Sequence, residues 1–198
     1  MKRSFLLSFL LLTLIPALSK AQQARSEFTD ATGKWFDAWL LLTKEIYDIH
    51  TFYPVDCIFF DSLNVYSNSD ISVSNGWPID GPAISGNNSW KMAPHHGQIV
   101  LPNRDTLPVG LMSFAGENKR TSKPFFVMPL PSFWQAAGVT SKELGLENLL
   151  TGVFLHEFSH SQQVQNFGKK ISAFERTTNF GIDFTDDIVQ DLFSKDPV

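Results

Sequence analysis

Between residues 27 and 50 the apolar positions Phe28, Trp35, Trp39, Leu42 and Ile46 recur at spacings of three, four or seven. That period predicts an amphipathic helix closed soon afterwards by Pro54. Residues 57–66 are rich in β-branched and aromatic side chains and read as one strand. Residues 67–96 are dense in Ser, Asn, Gly and Pro, which predicts a long loop region holding at most short strands. Three more strands are expected at 98–101, 109–115 and 124–130, separated by turn residues such as Asn103-Arg104-Asp105 and Gly116-Glu117-Asn118. The helical period then returns. Thr140-Ser141-Lys142-Glu143 fits a capping box, with a possible break near Gly145. From Glu147 to Phe167 the positions Leu149, Leu150, Val153, Phe154, His156, Glu157, His160 and Val164 form one broad face, with Gly168 as the expected C-cap. After a linker over 169–184, Thr185 caps a short acidic helix, Asp186 to Phe193. The fold class expected is α+β: an N-terminal helix, a small mixed or antiparallel sheet, and two closing helices.

The first 21 residues change the picture of the N-terminus. Met1-Lys2-Arg3 is a short basic region, 5–18 is an apolar run, and Ser19-Lys20-Ala21 places small residues at −3 and −1 of a cleavage point. This is the pattern of a secretory signal peptide, 1–21, preceding a single domain, 22–198. It implies a secreted or periplasmic protein with no membrane span once the signal is removed, because no later run is long enough. A content of 43% hydrophobic residues with 18 Phe fits one well-cored domain. A net charge of −4 without a basic stripe speaks against a nucleic-acid partner. Cys57 is the sole cysteine, so no internal disulfide forms, and its apolar neighbours mark it as a small buried residue.

The chemistry lies in His156-Glu157-Phe158-Ser159-His160, which spells HExxH. On a helix, i and i+4 share a face, so His156 and His160 can hold one Zn²⁺ from the same side. Glu157 stands next to the first imidazole as a general base for a metal-activated water. Two His and a Glu on the inner half of a helix are costly to bury unpaired, which argues against coincidence. Catalytic zinc sites take three protein ligands plus water. The acids after His160 include Glu175, Asp183, Asp186, Asp187 and Asp191.

Asp186-Asp187-Ile188-Val189-Gln190-Asp191-Leu192-Phe193 is similar to the NExxxD segment of the thermolysin-like gluzincins, a branch of the HExxH zincin metallopeptidases. The resemblance covers the motif helix, the acidic helix and an upstream sheet. It implies a zincin-like fold and a zinc-dependent hydrolase of peptide or protein substrates. It also implies Asp187 as third metal ligand and Asp191 as the hydrogen-bond partner that orients His156. Asp187 is one methylene shorter than the Glu of the pattern, so the second helix must approach closer, or Asp183 or Glu175 serves instead. In zincins the sheet's edge strand holds substrate in extended form, and 124–130 is the strand expected to do so by β-augmentation. The Tyr and His that gluzincins use on the tetrahedral intermediate follow the third ligand. Here all three Tyr (Tyr47, Tyr53, Tyr66) lie upstream, as in a minimal or truncated zincin. The alternative is a non-catalytic secreted protein that retains a zinc site. His95-His96, His50 and Trp90 are lesser candidates: a second metal site, a helix-dipole partner and a groove-lining ring. The better reading of Trp77, Trp90 and Trp134 is that they pack the core or cover loops.

Overall fold

The computed structural model describes residues 4–83, 89–164 and Thr177, with side chains from residue 22 onward. The chain divides into two compact units, 1–162 and 163–198. Of the second, only 163, 164 and Thr177, in a helical position, are described. Glu175, Asp183, Asp187, Asp191, the acidic helix and its cap therefore lie outside the described residues, as does Gly168.

Helix α1 runs Ser4–Leu40. Among its described side chains the buried ones are Phe28, Ala31, Thr32, Trp35, Phe36 and Trp39, a stripe at spacings of three and four. The expected continuation through Leu42 and Ile46 does not hold. Residues Leu41–Ile46 form a π turn, with Tyr47 N–H donating to Leu42 O at 3.2 Å. Thr43, four residues after Trp39, continues the stripe and is buried, while beyond it the wider turn leaves Ile46 65% exposed. Asp48 at φ 53° ends the element, and His50, beyond the helix end, lies 2.7 Å from the Asp48 carboxylate.

Strands follow at β1 (Asp56–Phe60), β2 (Asn64–Ser67), β3 (Trp77–Ile79), β4 (Trp90–Pro94), β5 (Gln98–Val100), β6 (Thr106–Pro108), β7 (Phe114–Asn118) and β8 (Lys123–Pro129). Six of them make a mixed sheet in the order β3-β4-β2-β1-β8-β7, with β1 and β8 parallel and every other pairing antiparallel; β5 and β6 form a separate hairpin. The architecture is α+β. The single strand expected over 57–66 is a hairpin, because Asp61 turns the chain. Its carboxylate accepts the N–H groups of Leu63 at 2.6 Å and Asn64 at 2.7 Å, and the Tyr66 hydroxyl at 2.6 Å. Burial and that hydrogen bond hold the Tyr66 phenol well above its usual pKa. The strand expected at 109–115 is displaced to β7, 114–118, so Gly116-Glu117-Asn118, expected as a turn, lies in the strand instead.

Strand β8 sits between β1 and β7 and is hydrogen-bonded on both sides. It has no free edge to offer a peptide, which corrects the expectation for 124–130; the outermost strands are β3 and β7. The central pair is buried on both faces. Cys57, Phe59, Phe126 and Met128 face the helices, while Ile58, Phe60, Phe125 and Val127 face the layer that contains Ile99 and Leu101. The Cys57 thiol has no exposed surface, and burial pushes its pKa up. Trp90 is a core residue rather than a groove lining, its indole N–H donating to Pro82 O at 2.9 Å. Trp77 departs from expectation in the other direction: on the edge strand β3 it is 54% exposed.

After the short α2 (Pro131–Ala136), Ser141 Oγ accepts Leu144 N–H at 3.1 Å and Gly145 takes φ +73°. The capping-box segment thus makes its own turn, and α3 begins at Gly145 and runs to Gln163. Helices α1 and α3 cover the same face of the sheet through aromatic contacts. Trp35 stacks on Phe154 at 5.5 Å, and Phe36 and Trp39 meet Phe158 edge-on at 5.3 and 5.0 Å. Among the described residues no helix is long and apolar enough to cross a membrane.

Candidate metal centre

Helix α3 is held to the core by Leu150, Phe154 and Phe158, one every fourth residue. His156 and His160 each follow one of these rings by two positions, about 200° around the helix. They therefore project from the outward side: His156 is exposed, and His160 and Glu157 are half-buried. This corrects the expectation that the motif lies on the helix's inner half. The argument that burial makes a chance motif costly loses its force, and what replaces it is geometry.

The two imidazoles do come together. His156 Nε2 and His160 Nε2 are 3.4 Å apart, with ring centroids at 4.9 Å and ring planes at 88°. Two nitrogens bound to one zinc at about 2.0–2.1 Å with a tetrahedral angle stand about 3.3–3.4 Å apart. The pair thus already has the bite of a tetrahedral zinc ligand pair. The neighbouring hydroxyls do not compete as ligands, since each turns back to the helix. Ser159 Oγ donates to His156 O and Ser161 Oγ to Phe158 O, both at 2.6 Å.

The two imidazoles fit zinc in kind and spacing, and Glu157 neighbours the first of them in sequence. Among the described residues no group of three or more His, Cys, Asp or Glu comes together. The third donor expected from the sequence, Asp187, and the expected orienting residue, Asp191, lie outside them.

His95 and His96 do not build a second centre. His95 Nε2 lies 2.9 Å from Asp61 O and its Nδ1 accepts Gly97 N–H at 3.2 Å, so both ring nitrogens are spent on the loop. Sequence reasoning passed over Gln162, whose carboxamide bonds the main chain of Tyr53. A polar residue at a core-facing register position gives no signal until its distant partner is known.

Comparison with protein-family models, curated proteins and solved structures gives no match.

Proposed function

We propose that this chain is a secreted zinc-dependent metallopeptidase of the zincin type. The observation that carries the reading is the 3.4 Å separation of His156 Nε2 and His160 Nε2 on the outward side of a helix anchored to the sheet. In this reading the two neutral imidazoles hold the metal, and Asp187 is the third ligand that the resemblance to gluzincins assigns. Zinc, when bound, supplies a Lewis acid that acidifies a water and polarises a peptide carbonyl. Glu157 takes the proton of the attacking water and delivers it to the leaving amine nitrogen. Asp191 orients the ring of His156 by accepting its second N–H. Since β8 is interior, the free edge that an extended substrate pairs with belongs to one of the outermost strands, β3 or β7.

The test is cleavage of an unfolded protein such as casein by the purified mature chain. Activity is expected to vanish with a strong zinc chelator and to return when zinc is restored. Cleavage indifferent to the chelator contradicts a metal mechanism. Bound zinc without any cleavage favours the alternative, a non-catalytic zinc protein.

A further inference from the structure

We propose that Gln162 is a positioning residue for the imidazole pair, an inference that rests on the zinc reading above. Its carboxamide engages both main-chain groups of one residue 109 positions away. Oε1 accepts Tyr53 N–H at 2.8 Å, and Nε2 donates to Tyr53 O at 3.2 Å. The side chain thereby copies the two-bond pattern of a strand pair. Tyr53 belongs to the segment between the π turn and β1, and Phe52 packs on Trp39 at 6.3 Å.

The placement of this clamp decides its role. His160 lies on α3 between Phe158 and Gln162, two positions from each. Phe158 and Gln162 are one turn apart on the face opposite His160. Phe158 is fixed by Phe36, Trp39 and Phe126. Gln162 fixes the following turn to Tyr53, so His160 stands between two anchors. Gln162 also lines a small cleft with Phe36, Trp39, Phe52 and Phe158, where an apolar surround strengthens its hydrogen bonds. The separation of the two Nε2 atoms depends on the helix keeping its pitch and azimuth from 156 to 160. Loss of the clamp frees the second imidazole from that geometry while leaving the first held.

The experiment measures zinc affinity by chelator competition, the visible spectrum of the cobalt(II)-substituted protein, and the melting temperature of the metal-free protein. The variants are Gln162→Leu and the milder Gln162→Asn, which is too short to make both bonds. Each is expected to bind zinc more weakly than wild type by more than about twofold, with weakened cobalt absorption, because the carboxamide acts on the imidazole pair through the helix backbone rather than by touching it. Zinc affinity within about twofold of wild type in both variants, with an unchanged cobalt spectrum, overturns the inference whatever happens to melting, because a purely structural role lowers only the melting temperature. Failure of the wild-type chain to take up zinc overturns the metal reading itself, and with it this one.

Discussion

Glu157→Gln is expected to retain bound zinc and to lose peptide cleavage by a factor of about 10²–10⁴, the usual contribution of a positioned general base. The amide has nearly the shape of the carboxylate but cannot take the proton of an attacking water. His156 and His160 are untouched, and the helix that carries them is anchored through residues on its other side. Metal content and activity should therefore separate in this variant. Parallel assays of zinc by atomic absorption and of casein cleavage decide it. Cleavage at the wild-type rate removes Glu157 from the mechanism, and joint loss of metal and activity assigns it a role in binding instead.

Phe154→Ala is expected to destabilise the fold by about 3–5 kcal/mol, the range for deleting a fully buried aromatic ring. Phe154 has no exposed surface and touches four aromatic rings. Trp35 stacks on it at 5.5 Å, Phe158 at 5.1 Å, and Phe36 and Phe126 meet it edge-on at 5.1 and 5.4 Å. These rings come from α1, β8 and α3, so the cavity opens where all three layers meet. Such a loss is a large fraction of the stability of an ordinary domain. Urea unfolding followed by tryptophan fluorescence measures it, and a loss below about 1 kcal/mol contradicts the described packing.

How much of this could be read from the residues follows from the range of the forces involved. Helix α1 was legible because Phe28, Trp35 and Trp39 carry a period that depends only on the helix itself. Its last turn was not, because a π turn shifts the register beyond Thr43 and leaves Ile46 exposed. Position 61 carried a turn signal, an Asp followed by Ser, hidden inside an apolar run that otherwise reads as one strand. The place of β8 could not be deduced from its own residues. A run such as Phe125-Phe126-Val127-Met128 says that both faces are covered, but the parallel partner β1 is more than sixty positions away in sequence.

The candidate site divides along the same line. That His156 and His160 share a helical face is a local fact, and the 3.4 Å between their Nε2 atoms agrees with it. That this face turns away from the core is a tertiary fact, set by Phe154 and Phe158 against α1 and the sheet. A broad apolar stripe left the azimuth of the motif open, and the expectation of an inward motif followed from counting polar residues as part of that stripe. The clamp from Gln162 to Tyr53 is likewise visible only once the chain is folded.

The central claim is that His156 and His160 are a metal-binding pair, and metal content tests it most directly. Mature wild-type protein purified without added chelator is expected to carry about one zinc per chain, and His156→Ala and His160→Ala are each expected to carry almost none while remaining folded. The folding condition is a mild one, since His156 is exposed and His160 half-buried. Wild-type protein free of zinc, or variants that keep it, would contradict the account.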